Sequence, residues 1–200
     1  MRKRLLSLVL MLIAAINTFA YDFESNGIYY HILSREEHTC EVTYDNWNYN
    51  DYSGDIVIPS VVQYGSNEYT VVGIRESAFK NCSGLISVSI PSGVTSIGNN
   101  AFECCSGLTS VSIPSGVTSI GAYTFKDCTG LTSVSIPSGV TSIGEYAFYR
   151  CSSLTSISIP SSVTTIENGT FYGCTGLISL SGLPSSVTTI GGVLFWIVQV

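Results

Sequence analysis

The chain has 200 residues, of which 45% are hydrophobic and only 11% charged, and its net charge is −6 at pH 7. Three of the eight Lys and Arg fall within the first twenty residues, leaving five against fourteen Asp and Glu. A chain so poor in cations does not neutralise a row of phosphates, which excludes a nucleic-acid partner.

Arg2, Lys3 and Arg4 precede an apolar run from Leu5 to Ile16, and Thr18-Phe19-Ala20 supplies small residues at a cleavage site. This pattern predicts a signal peptide over residues 1–20, cleaved near Ala20. The apolar run is shorter than the ~20 residues of a spanning helix, so no membrane span is expected after cleavage. No cysteine follows the site, which gives no sign of a lipid anchor.

Residues 21–70 form a leader with nine Asp and Glu against Arg35 alone, and eight of the twelve tyrosines. Asn26-Gly27 before an apolar-aromatic run predicts a hairpin, and Thr39 to Tyr44 and Asp55 to Ile58 read as further strands. The expectation is a β-rich N-terminal cap over the first coil, with a hairpin near Gln63 to Val71. "YDNWNYNDY", Tyr44 to Tyr52, has the Tyr/Asn/Trp composition of adaptable binding loops, making Trp47 a candidate contact, with Asp45 and Asp51 weak calcium donors. The alternative is that these rings only cover the first coil.

The two histidines, His31 and His38, both lie in the leader. "REEHTCE" sets His38 beside Glu36, Glu37, Cys40 and Glu41, but the spacing matches no zinc motif, so no metal or other cofactor is expected. The serines beyond residue 70 lack a histidine to activate them, and no nucleophile elbow or phosphate loop is present. The chain therefore reads as no enzyme. A catalytic site built from His31, His38 and Glu41 is the rival reading.

Beyond the leader one sentence recurs. "SVSIPSGVTSIG" occupies Ser87 to Gly98, Ser110 to Gly121 and Ser133 to Gly144. The six prolines, Pro59, Pro91, Pro114, Pro137, Pro160 and Pro184, fall at intervals of 32, 23, 23, 23 and 24. Phe79, Phe102, Phe125, Phe148 and Phe171 keep the same beat, as do Cys82, Cys105, Cys128, Cys151 and Cys174. A unit this short cannot bury its apolar face alone and must stack on copies of itself. Leu85, Val88 and Ile90 alternate with serines as a half-buried strand; Pro91 ends it, and Val94 and Ile97 start a second inward run. The fold class expected is a β-rich solenoid over residues 71–200: a parallel leucine-rich-repeat array of about five 23-residue coils.

"CSGLTSVSIPSGVTSIGAYTF", Cys105 to Phe125, resembles the BspA-type leucine-rich repeat of bacterial secreted and surface proteins. The likeness runs from about Ile56 to the C-terminus, and "GIYYHIL", "SGDIVIPSVV" and "EYTVVGI" resemble the leader such arrays carry. It implies a non-catalytic module for binding or adhesion, secreted or held at the cell surface or outer envelope of a bacterium, with an extracellular protein or glycan as partner. No sorting or wall-anchoring segment is recognisable here.

The inward cysteines read as a reduced structural ladder beside the phenylalanines, leaving Cys104 and Cys40 as the more reactive thiols. Outward, Ser87, Ser110, Ser133, Ser156 and Ser179 form one column, Ser89, Ser112, Ser135, Ser158 and Ser181 a second, and Thr95, Thr118, Thr141, Thr164 and Thr188 a third. These walls lack the aromatic and arginine anchors that dominate affinity. Variety lies on either side of the Ala-Phe position, where Tyr123, Tyr146, Tyr149 and Tyr172 with Lys126 and Arg150 are the candidate binding edge. The alternative there is a solvated ridge whose rings lie along the coils. Lys80, Glu103 and Lys126, like Asp127 and Arg150, read as surface pairs worth a few tenths of a kcal/mol each. Finally Val193, Leu194, Phe195, Trp196, Ile197 and Val198 end the chain without a polar cap. That predicts a covering partner, a truncated frame or self-association, and a purely structural, self-assembling protein is the other rival reading.

Overall fold

A computed structural model describes residues 20–45, 52–177 and 183–192. Trp47, Asp51, Ser179, Ser181, Val193 to Val198 and the signal segment through Phe19 lie outside the described residues.

The leader forms β1 (Phe23–Ser25), β2 (Ile28–Ser34), β3 (Thr39–Thr43), β4 (Gly54–Val57), β5 (Val61–Tyr64) and β6 (Asn67–Ile74). Asn26 and Gly27 both take positive φ, 52° and 75°, as the tight β1–β2 turn requires. β5 and β6 make a second antiparallel hairpin, Tyr64 opposite Asn67. β3 and β6 then pair in parallel. β6 crosses the boundary expected at residue 70, and leader and repeats share one contiguous core from Phe23 to Leu177.

The repeats add β7 (Leu85–Ser89), β8 (Ser96–Ile97), β9 (Ser110–Ser112), β10 (Ser119–Ile120), β11 (Ser133–Ser135), β12 (Ser142–Ile143), β13 (Thr165–Ile166) and β14 (Thr189–Ile190). No helix occurs among the described residues. β4, β7, β9 and β11 make one parallel sheet, and β10, β12, β13 and β14 another, while β8 continues the leader's sheet from β6. The registers restate the sequence period: Ser87 faces Ser110, Ser110 faces Ser133, and Ser119 faces Ser142. The first sheet thins beyond β11, where one bridge joins Ser135 to Ser158. There Ile157 replaces the valine of the preceding coils; one methylene larger, it is only partly buried.

The third side of each repeat is neither strand nor helix. In the repeat containing Phe79, the N–H groups of Ser77, Phe79 and Asn81 donate to the carbonyls of Asn99, Ala101 and Glu103 in the next repeat. Those of Ala78, Lys80 and Cys82 close local turns onto Arg75, Ser77 and Phe79. Alternating in this way needs left-handed backbone at two places per repeat. Ser77, Asn100, Tyr123, Tyr146 and Gly169 supply the first; Asn81, Cys104, Asp127, Arg150 and Gly173 supply the second, all with positive φ.

Inside, Phe79, Phe102, Phe125, Phe148 and Phe171 stack with centroids 5.0, 5.4, 5.3 and 5.6 Å apart. Each carbonyl of Phe79, Phe102, Phe125 and Phe148 accepts a thiol S–H from the following repeat: Cys105, Cys128, Cys151 and Cys174, at 2.9–3.1 Å. A small apolar side chain with one weak donor suits a buried site holding one spare acceptor.

Candidate functional site

Tyr123, Tyr146, Tyr149 and Tyr172 come from three consecutive repeats and, with Lys126, line one surface recess of about 350 Å³. Tyr123 and Tyr146 stack at 5.5 Å, and Tyr149 and Tyr172 at 5.3 Å. Tyr146 meets Tyr149 edge to face, their planes 82° apart. The recess is thus walled by two tyrosine stacks set at right angles.

The backbone beneath is fixed by the ladder just described. Tyr123, Tyr146 and Arg150 donate their N–H groups to the carbonyls of Glu145, Asn168 and Tyr172. Tyr123 and Tyr146 stand at left-handed positions, which cost a non-glycine residue about 1–2 kcal/mol. Gly169 occupies the same place one repeat on, and a Cβ there would overlap the Tyr146 ring. The Arg150 stem likewise crosses Gly173, and its guanidinium lies 5.4 Å from the Tyr149 centroid. The rings therefore do lie along the repeats, and they also form a recess.

Beside the recess, one acidic side chain gathers two lysines. Glu103, buried, receives Lys80 and Lys126 at 2.8 Å each, and Asn100 at 2.7 Å. Burial pushes its carboxyl up, but the hydrogen bonds from Lys126, Lys80 and Asn100 outweigh this and hold it down at about 2. This corrects the expectation of separate surface pairs: three repeats are clamped by one buried carboxylate. Lys126, held by the same bond, is correspondingly raised, and lies 5.7 Å from the Tyr123 centroid. Arg150 reaches Asp127 only at 3.9 Å and is largely exposed.

The other candidates disperse. Trp47 and the apolar run Val193 to Val198 lie outside the described residues. Cys82, Cys105, Cys128, Cys151 and Cys174 are buried thiols outside any disulfide, and burial pushes the Cys105 and Cys128 thiols up. Cys40, expected to be reactive, is instead wholly buried, its thiol pushed up to about 12 by burial and then by Glu41. Half-buried Cys104 is the most accessible described thiol. His31 binds Asp22 at 2.9 Å and sits opposite Glu41, while His38 packs edge-on against Tyr69, so the histidines have separate partners. No group of three or more metal-binding side chains occurs among the described residues. The threonine column is engaged rather than free: Thr141 and Thr164 hydroxyls donate to the carbonyl one repeat back.

The two left-handed columns are what sequence reasoning missed, although Asn81, Asn100, Gly169 and Gly173 were their signal. Residues 68–198, repeat by repeat, match the BspA type leucine rich repeat region in six copies. The chain belongs to this BspA-type leucine-rich repeat family. A leucine-rich repeat protein from Bacteroides ovatus is 35% identical, with a TM-score of 0.66 over 78% of this chain and 46% of its own. The T. pallidum leucine rich repeat protein is 25% identical, with a TM-score of 0.66 and 87% of both chains covered. A leucine rich cell surface protein from Faecalibacterium prausnitzii is 28% identical, with a TM-score of 0.58 over 84% of this chain and 50% of its own. The chain thus spans about half the length of the B. ovatus and F. prausnitzii proteins. No curated protein matches it. As in a BspA-type array generally, the repeat fold is consistent with a protein-interaction module, and no described helix is long and apolar enough to cross a membrane.

Proposed function

We propose that the chain is an exported, non-catalytic interaction module. In this reading residues 21–70 cap a solenoid of about five coils, and the tyrosine recess is its contact surface for an extracellular protein or glycan. The observation that carries it is the convergence of Tyr123, Tyr146, Tyr149 and Tyr172 from three repeats on one recess. The F. prausnitzii cell surface protein supports placement outside the cytoplasm.

The test is capture by the immobilised full chain from an array of extracellular-matrix proteins and glycans. A variant with all four tyrosines replaced by serine is compared with the parent, folding checked by its urea transition. Loss of capture by a folded variant is expected. Undiminished capture would overturn the tyrosine surface.

A further inference from the structure

The repeats are alike in sequence but not equally joined, and one residue marks the difference. Where the chain turns from the third side into the first sheet, Gly84, Gly107, Gly130 and Gly176 hold equivalent places, and Ser153 stands among them as the fourth of five. A Cβ at Gly107, Gly130 or Gly176 would lie 2.5, 2.5 or 2.7 Å from the carbonyl oxygen of Ser83, Ser106 or Ser152 in the preceding repeat. That is well inside the ~3.5 Å of an unstrained contact, so something would have to shift. Ser153 carries that Cβ, and its repeat must stand off from the one before.

The stand-off appears two residues later. Thr109 and Thr132 donate their N–H groups to the carbonyls of Ile86 and Thr109 at 3.1 and 2.9 Å, whereas Thr155 reaches the Thr132 carbonyl only at 3.5 Å. β9 and β11 pair through three residues, but beyond β11 a single bridge joins Ser135 to Ser158. A surface recess of about 500 Å³ opens there, lined by residues 133–136 and 156–158. The other two sides of the same pair of repeats stay closed. Thr164 donates to the Thr141 carbonyl at 2.9 Å, and β12 pairs with β13. On the third side Tyr146, Phe148 and Arg150 donate to Asn168, Thr170 and Tyr172 at 2.9, 3.0 and 2.8 Å, and Tyr149 stacks on Tyr172.

We infer that Ser153 is a wedge that makes this junction the hinge of the array. The repeats beyond it rock on the two closed sides, and the first sheet parts and rejoins between Ser135 and Ser158. Each unit of a stacked array touches only its neighbours, so one loosened junction is enough to bend the whole. Fixed on two sides and loosened on the third, it bends by parting the first sheet. The hinge does not depend on what the tyrosine surface binds.

Ile157, one methylene larger than the valines before it, lies at the same junction, and the experiment separates the two. Backbone hydrogen exchange of the full chain is followed by mass spectrometry in the parent, Ser153→Gly, Ile157→Val and Gly130→Ser. In the parent, amides of residues 155–158 should exchange faster than those of 109–112, and in Ser153→Gly they should slow about 10-fold, the effect of one regained hydrogen bond. Gly130→Ser moves the wedge one repeat back and should quicken exchange over residues 132–135. Equal protection of 155–158 and 109–112 in the parent would overturn the hinge. Unchanged exchange in Ser153→Gly would overturn the wedge, and slowing in Ile157→Val alone would assign the loosened junction to the larger side chain instead.

Discussion

The Tyr52 ring of the leader lies 4.7 Å from that of Phe79, so the phenylalanine column has an aromatic neighbour ahead of its first ring. Its hydroxyl is fixed by donating to the Thr43 carbonyl at 2.6 Å and accepting from the Tyr29 N–H at 3.0 Å. Tyr52→Ala should destabilise the chain by about 4 kcal/mol, the cost of emptying a large aromatic site. Tyr52→Phe keeps the ring and strands two partners, for about 1–2 kcal/mol. Urea midpoints of both variants check the order, and equal losses would separate the ring from this role.

Glu103 predicts a particular acid sensitivity. Its folded pKa, about 2, lies below the ordinary 4.5, so its contribution is present above 4.5 and is lost as pH falls through about 2. Urea transitions between pH 5 and pH 2 should therefore fall more steeply in the parent than in Glu103→Gln. Parallel curves would mean that the clamp formed with Lys80 and Lys126 contributes no pH-dependent stability.

Much of this was legible in the sequence because a stacked array turns sequence period directly into register. Pro91, Phe102 and Cys105 each mark a place that recurs 23 residues on, and Asn26-Gly27 announces its own turn. The exposed ridge was less legible. Tyr123 and Arg150 look like freely varying surface positions, yet both are left-handed, a constraint that only asparagine and glycine advertise. Glu103 was read as one end of a surface pair because burial depends on the turn around it; two lysines and an asparagine close over it only once three repeats are stacked. Cys40 was misplaced for a similar reason, since inward and outward faces of β3 depend on its register with β2 and β6.

The left-handed column separates stability from binding. Tyr123→Asn relieves backbone strain of about 1 kcal/mol and gives up a ring stack of similar worth, so its urea midpoint should change little. Capture of the partner should nevertheless fall, because one wall of the recess is gone. A large stability loss with unchanged capture would make Tyr123 a packing residue.

Gly169→Ala probes the same wall from below. The new Cβ would overlap the Tyr146 ring, and the residue would keep a φ of +62°, so both the backbone and the ring must respond. The expected cost is about 1–2 kcal/mol from the backbone, with a changed near-ultraviolet tyrosine signal as Tyr146 is displaced. Unchanged tyrosine dichroism would show that the ring does not rest on Gly169.

Thiol labelling distinguishes the ladder from the ridge. Cys105, Cys128, Cys151 and Cys174 are buried and each donates to a phenylalanine carbonyl, whereas Cys104 is half-buried at a left-handed turn. Burial, then the neighbouring Glu103 and Asp127 carboxylates, raise the Cys104 thiol, so its labelling should be slow at pH 7 and quicken as pH rises. In the native chain Cys104 should react first and Cys104→Ser should remove that phase, with the ladder thiols reacting only in denaturant. Mass mapping of the modified cysteines decides it: early labelling of the ladder would mean that the repeats open far more readily than their shared core implies.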